Sequence, residues 1–353
     1  MGRKSKEGRN KSNQVSRREL LKRMACGGLA LTGAGAVLSA CAPDLIQAEE
    51  RGATPAVAQA PSYYLPTDEG LWKPPAAHKG DLPAGPGTVE IERVGKFSFE
   101  AEQVTTVRPG IFQPGHFSLF DVLVHLSEKG DIALDYHFDE TMDTHVIDAL
   151  GGESGWWHNA YYSAGWFEPN VFRMDMYPYK NNMRIRLDRE NEGRLEATYR
   201  SFREEVDRLR GNGGQVVIPD VRVRAPSGRL AFRDVMVTPH DVRPDVLQPG
   251  VVTALDALIS LAEQRELPDL KLTWYERIAG ANPVDSYWVE KLSEDAAVGG
   301  CGFVYETGPN SFAGFSGTHI HIPADVRVTV SPEYALWFWI CLGRGGFEPW
   351  GSQ

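Results

Sequence analysis

The chain of 353 residues contains only four cysteines, Cys26, Cys41, Cys301 and Cys341, and no two of them stand at C-x-x-C spacing. Covalent haem attachment and the common thiolate zinc sites are therefore not expected. G-x-S-x-G, H-E-x-x-H and a phosphate-cradling glycine loop are also absent, so a serine hydrolase, a metalloprotease or a nucleotide-binding enzyme has no anchor in the sequence. Long apolar runs are missing as well. The weakly apolar stretch from Met24 to Ala40 is broken by Gly27, Gly28, Gly33 and Gly35, which makes it too short and too soft for a membrane-spanning helix.

What the N-terminal region does contain reads as an address. Ser16-Arg17-Arg18-Glu19-Leu20-Leu21-Lys22 resembles the paired-arginine signal of twin-arginine export, and Leu38-Ser39-Ala40-Cys41 resembles the lipobox of bacterial lipoproteins. The resemblance implies removal of residues 1–40, lipidation at Cys41, and a membrane-anchored protein facing the periplasm or cell exterior. Residues 1–40 hold nine Lys and Arg against two Asp and Glu. Of 37 basic and 47 acidic residues in the chain, 28 and 45 thus lie beyond the leader, a formal charge of −17 instead of −10. So acidic a surface repels phosphate backbones, and nucleic acid is not an expected partner. An oxidising compartment allows Cys301 and Cys341 to pair, although spacing alone does not bring them together.

Residues 41–87 are proline- and alanine-rich and read as an extended tether. Beyond them lies a duplication. VRPGIFQPG (Val107 to Gly115) recurs as VRPDVLQPG (Val242 to Gly250), 135 residues later. Period-2 runs precede each copy, including Lys96-Phe97-Ser98-Phe99 and Leu230-Ala231-Phe232. A helix start follows each, Ser118-x-x-Asp121 and Thr253-x-x-Asp256, at the spacing of a capping box, so these aspartates read as caps and not as catalysts. Asp131 to Leu134 matches Asp269 to Leu272, and Gly155-Trp156-Trp157 matches Gly302-Phe303-Val304-Tyr305. The halves close on alternating runs, Met183 to Leu187 in the first, Val326 to Val330 and then Tyr334 to Ile340 in the second. Between them Glu192 to Arg210 is charged and helix-compatible, and Gly211-Asn212-Gly213-Gly214 stops it. The expected fold is α+β: two tandem domains, 88–190 and 215–353, each a mixed or antiparallel sheet on one helix, joined by a linker helix over 191–214.

A strand hairpin, one helix with an S/T-x-x-D-x-L start, G-aromatic-x-Tyr and a last alternating strand together resemble the transcobalamin-like β-grasp family. Gly302-Phe303-Val304-Tyr305-Glu306-Thr307-Gly308 is similar to its G-W-x-Y-x-V-N-G hairpin, whereas His158-Asn159-Ala160-Tyr161-Tyr162 departs from it. The resemblance implies tandem β-grasp domains and a non-enzymatic protein binding a corrinoid or glycan-type ligand, with Tyr305 at the hairpin.

The residues themselves offer further candidates. Trp156, Trp157, His158, Asn159, Tyr161 and Tyr162 place aromatic rings and polar tips where a loop is expected, a combination suited to a flat ligand. His319-Ile320-His321 would put two imidazoles on one face of a strand, toward a metal, haem or corrin centre, with no obvious third ligand. Asp135 to His145 holds His137, His145 and four carboxylates, either a divalent-metal site or a solvated loop, since its spacing matches neither a calcium loop nor a zinc signature. Met174, Met176 and Met183 suit copper by softness and suit packing equally. Trp337 and Trp339 read as core. Two other functions stay open on the sequence: an accessory subunit of an exported membrane redox complex, with a protein partner in the membrane, and a structural surface protein.

Overall fold

The computed structural model describes residues 62–64, 82–161, 168–169, 171–267, 269–278, 282–310, 322–343 and 346–349. The sequence candidates Arg17, Arg18, Cys41, Tyr162, His319 and His321 lie outside these residues.

The fold is α+β, with three α-helices and several sheets among the described residues. In the first half β2 (Pro86–Ile91) and β3 (Gly95–Glu100) form a hairpin, followed by α1 (Leu119–Glu128). Strands β4 (Leu134–Asp139) and β5 (Thr144–Leu150) make a separate two-stranded sheet. Next come β6 (Trp156–Tyr161), β7 (Glu168–Pro169) and β8 (Arg184–Arg189), giving a sheet of order β3-β2-β8-β6-β7 in which β8 runs parallel to β2. The second half, after α2 (Glu192–Gly211), repeats this plan. Its hairpin is β9 (Val216–Ala225) and β10 (Gly228–Val237), its helix α3 (Ala254–Glu263), and its second sheet is built on β11 (Lys271–Ile278) and β12 (Asn282–Leu292). Strands β14 (Cys301–Gly308) and β15 (Tyr334–Gly343) complete an order β10-β9-β15-β14, with β15 parallel to β9 and β16 (Gly346–Pro349) paired to β15.

Local chemistry accounts for the helix starts. The Asp121 carboxylate accepts both the backbone N–H (2.6 Å) and the hydroxyl (2.7 Å) of Ser118, and Asp256 does the same for Thr253. Both carboxylates are buried at the N-terminus of a helix, where free N–H groups favour an acid. A second segment covers each helix start. Leu119 N–H donates to the Tyr177 carbonyl, and Ala254 N–H to that of Arg327. This corrects the strand expected over Val326 to Val330. That run makes one isolated bridge, Val328 with Thr253, and its backbone is spent on the start of α3. Its alternation carries no solvent face, since all five residues are buried between the halves.

Helix α2 spans nearly the stretch read from the sequence, but it is more than a spacer. Phe202 packs with Trp157 and Met142 in a small core of its own, and Glu205 accepts from Arg173 at 2.5 Å, both groups buried. Strand β6 has Trp156, His158 and Ala160 on the main core and Trp157 against α2. Cys301 and Cys341 sit opposite each other on β14 and β15, Cα atoms 4.0 Å apart, and are disulfide-bonded.

The two nonapeptides meet each other. Phe112 and Leu247 form an antiparallel bridge, with Gln113 N–H donating to the Val246 carbonyl and Gln248 N–H to that of Ile111, both at 2.9 Å. The glutamine side chains repeat the exchange, Gln113 Nε2 to the Leu247 carbonyl at 3.1 Å and Gln248 Nε2 to that of Phe112 at 3.0 Å. Gly115 and Gly250 turn the chain out of the joint at φ values of 89° and 85°, where a side chain would be strained. Phe112 and Leu247 are buried, so the core under α1 includes residues of the second half. Lys180 and Asp285 add an ion pair across the halves at 3.3 Å.

Each glutamine bond is worth about 1 kcal/mol net. Urea unfolding of a Gln113→Ala/Gln248→Ala chain is expected to show a loss of about 1–3 kcal/mol, and no change would mean that the side chains add nothing to the joint. Reducing Cys301–Cys341, which spans 40 residues of sequence, is expected to lower stability by about 2–4 kcal/mol, read as an earlier denaturant midpoint in dithiothreitol.

Candidate functional site

The arginine of each nonapeptide organises its half. Arg108 reaches the buried Asp175 at 2.6 Å and the carbonyl and carboxylate of Asp143. Arg243 reaches the buried Asp325 at 3.2 Å, the Asp285 carbonyl at 2.9 Å, and Asp245. Around the aspartates the donors correspond one for one. Asp175 accepts the Thr144 hydroxyl (2.7 Å) and His145 N–H (3.0 Å), and Asp325 accepts the Ser286 hydroxyl and Tyr287 N–H, both at 2.9 Å. Asp143 and Asp285 also share a left-handed backbone, at φ of 49° and 43°. Burial pushes the Asp175 carboxyl up, but bonds from His145 and Thr144 and the charge of Arg108 outweigh it, and the group stays below the usual carboxylate range.

This correspondence shows where the halves differ. His145 occupies the place of Tyr287, and Met174, just before Asp175, the place of Ala324. His158 on β6 pairs opposite Leu187 as Tyr305 on β14 pairs opposite Trp337. In the second half the Tyr305 hydroxyl donates to the Ile322 carbonyl at 2.6 Å and its ring stacks on Trp337. In the first, His158 is buried with neither ring nitrogen hydrogen-bonded to any described residue. Burial pulls its pKa down to about 3 despite the charge of Asp175, so the ring is neutral. His145, by contrast, is oriented: its Nδ1 lies 2.9 Å from Asp175 and its ring stacks on Phe120. An ionised carboxylate only accepts, so Nδ1–H donates to Asp175 and Nε2 takes no part in that bond. His145, His158, Thr144 and Met174 line one cavity of about 10 Å³, walled by Trp157 and Phe202.

A second difference lies on the surface. Phe138 pairs with His145 on the β4–β5 sheet as Trp274 pairs with Tyr287 on β11–β12, and Tyr136 corresponds to Leu272. Arg108 stands over Phe138 and Arg243 over Trp274. Yet Tyr136 and Phe138 are 39% and 43% exposed, while Leu272 and Trp274 are 0% and 4% exposed. The second half extends its sheet to four strands, with β1 (Ser62–Tyr64) on the outer edge of β11 and β13 (Asp295–Ala296) on β12. Among the described residues β4 has no strand on that edge.

The residues singled out from sequence fall differently from what was expected. Trp156 to Tyr161 form a strand, not a loop, because α2 covers the second face and removes the alternation that marks a half-exposed strand. Trp156, Trp157, His158 and Tyr305 are buried and form no open wall of rings. Trp156 Nε1 donates to the Glu153 carbonyl, and Asn159 Nδ2 to Asp188 at 3.0 Å. Tyr161 contributes its backbone to β6. Asp135 to His145 is a hairpin and not a loop, with Asp135 to Phe138, Glu140 and Thr141 exposed. His137 turns to Asp148 at 2.8 Å and His145 to Asp175, so the two imidazoles part. Among the described residues no three His, Cys, Asp or Glu side chains gather as a metal site. Tyr136 and Phe138 were not singled out, although Phe138 against Trp274 in a sequence comparison of the halves is a visible signal. Compared with protein-family models, with curated proteins and with solved structures, the chain finds no match. Among the described residues no helix is long and apolar enough to cross a membrane.

One buried histidine in the second half answers to stability. Burial lowers the pKa of His240, but Nδ1 at 2.9 Å from Asp256 and Nε2 at 2.9 Å from Glu263 more than reverse it, so the net shift is upward. A raised value in the folded state means stability present in full below about 6.5, the unfolded value, and lost as pH rises through the folded value. Melting temperature is expected to fall across that alkaline window, and His240→Gln to flatten the fall; an unchanged pH profile in the variant would contradict the assignment.

Proposed function

We propose that the protein is an exported, lipid-anchored, non-enzymatic recognition module of two tandem β-grasp-like repeats, which takes a glycan-type ligand on the exposed face of its first repeat. The hairpin, the capped helix and a closing strand parallel to the first strand of the hairpin, present in both halves, support the β-grasp-like reading. Arg17-Arg18 and the run to Cys41 support export and anchoring, and the Cys301–Cys341 disulfide is compatible with an oxidising compartment.

The observation that carries the binding face is the exposure of Tyr136 and Phe138 where the other repeat buries Leu272 and Trp274. Rings held at i and i+2 of a strand stand on one face, fixed here by edge contacts of both with His145 and of Tyr136 with Phe120. Asp135 and His137 of β4 and Asp148 of β5 are exposed on the other face of this hairpin, so the face of Tyr136 and Phe138 is made by the rings themselves. Two exposed rings on one face, one of them with a phenolic hydroxyl, suit the apolar face of a sugar. The aromatic cavity and the cavity between the halves hold about 10 and 20 Å³, far below the volume a corrin or porphyrin fills.

Calorimetric titration of the chain carrying Cys41→Ser with cell-wall glycan fragments and, separately, with cobalamin tests the reading. Saturable glycan binding is expected, weakened by about tenfold or more in Tyr136→Ala/Phe138→Ala, since an aromatic contact is worth about 0.5–1.5 kcal/mol, with the melting temperature kept. Binding of cobalamin alone, or of neither, would overturn it.

A further inference from the structure

His158 is a buried group that the surface site does not use. A buried imidazole with two unbonded nitrogens is costly, and such orphans in native proteins point to a missing water, an ion or a chemical role. It shares its cavity with His145 and Met174. His145 already has the support a metal-binding imidazole uses, a carboxylate on Nδ1 that fixes the ring and leaves Nε2 available. That carboxylate is itself held by Arg108, Thr144 and the His145 N–H. Met174 brings a thioether, whereas Met183 is engaged, its sulfur accepting the Lys180 N–H at 3.0 Å. The second repeat is an internal control. It keeps the Arg–Asp pair and its hydroxyl and N–H donors, and puts Tyr287, Tyr305 and Ala324 in place of His145, His158 and Met174. All three soft donors are therefore confined to one repeat and to one cavity. Two imidazoles and a thioether, without a thiolate or a free carboxylate, are a soft, neutral donor set that favours a monovalent soft cation over zinc or calcium. A cavity of about 10 Å³ has room for one ion or one water and for no organic ligand.

We propose that His145, His158 and Met174 form a three-donor site for a single Cu(I) ion in the first repeat, behind the surface face of Tyr136 and Phe138, whose rings contact His145. The site lies behind Trp157 and Phe202 and needs only Nε2 of His145, one nitrogen of His158 and the sulfur of Met174.

The test is anaerobic titration with Cu(I), and with redox-inert Ag(I), of the full chain carrying Cys26→Ser and Cys41→Ser so that no free thiol competes. A chromophoric Cu(I) chelator present as competitor is expected to lose one equivalent per chain. His158→Phe and Met174→Leu are each expected to weaken retention at least tenfold while keeping the melting temperature, His158→Phe because it also removes an unbonded polar group. Ag(I) is expected to shift the side-chain ¹⁵N resonances of two histidines in the parent chain, a readout that stands even where a variant fails to fold. No withdrawal from the chelator, retention unaffected by either variant, or unshifted histidine resonances that leave a single buried water as the occupant would overturn the proposal.

Discussion

An arginine held on a buried aspartate, half-buried at Arg108 and buried at Arg243, is the constraint on which each half is arranged. Taking both charges out of water is expensive, and the cost is met only where every remaining donor and acceptor is placed. Arg108 with Asp175 and Arg243 with Asp325 meet it in the same way, recruiting a hydroxyl, a backbone N–H and a carbonyl from three successive residues of the second hairpin, Asp143 to His145 and Asp285 to Tyr287. Three segments distant in sequence are thus tied to one point: the nonapeptide, the second hairpin and the run that covers the helix start. Asp143, in the turn before β5, and Asp285, within β12, present that carbonyl from a left-handed backbone.

Because this frame is identical in kind on both sides, differences between the halves stand out against it. The second repeat spends its matching positions on stability, with Tyr305 bonded, Trp274 covered, β11 flanked by β1 and a disulfide between β14 and β15. The first leaves an imidazole unbonded, two rings in solvent and a strand with no neighbour on one edge among the described residues. Such features lower stability and are tolerated where they serve binding.

Much of the frame was legible in the residues. The duplicated nonapeptide, the S/T-x-x-D starts and the Gly-Asn-Gly-Gly stop are short-range signals whose physics is local, and helices α1, α2 and α3 fall where these signals put them. Alternation matched exposure at Met183 to Leu187, where β8 exposes Arg184 and Arg186 and buries Ile185 and Leu187, and it failed in two other places. Val326 to Val330 alternates but is buried throughout, and Trp156 to Ala160 is a strand whose pattern is erased by burial on its second face. The pairing of the nonapeptides, the Arg–Asp partners and the cavity at His158 depend on contacts between residues tens of positions apart, which period and composition do not encode. Tyr136 and Phe138 sat in view inside a segment read for its metal-binding types and not for its rings.

The reciprocal exchange at Phe112 and Leu247 has the form of a two-fold interface between identical partners, each presenting the same edge to the other. Here both partners belong to one chain, joined through α2, so the encounter is intramolecular and its strength does not depend on how much protein is present. Two backbone and two side-chain hydrogen bonds, too slight to hold separate molecules together at ordinary dilution, act under that tether with the Lys180–Asp285 pair and the buried run Val326 to Val330. Dilution therefore leaves the two repeats paired, so that the unbonded imidazole and exposed rings of the first are carried beside the better-bonded second.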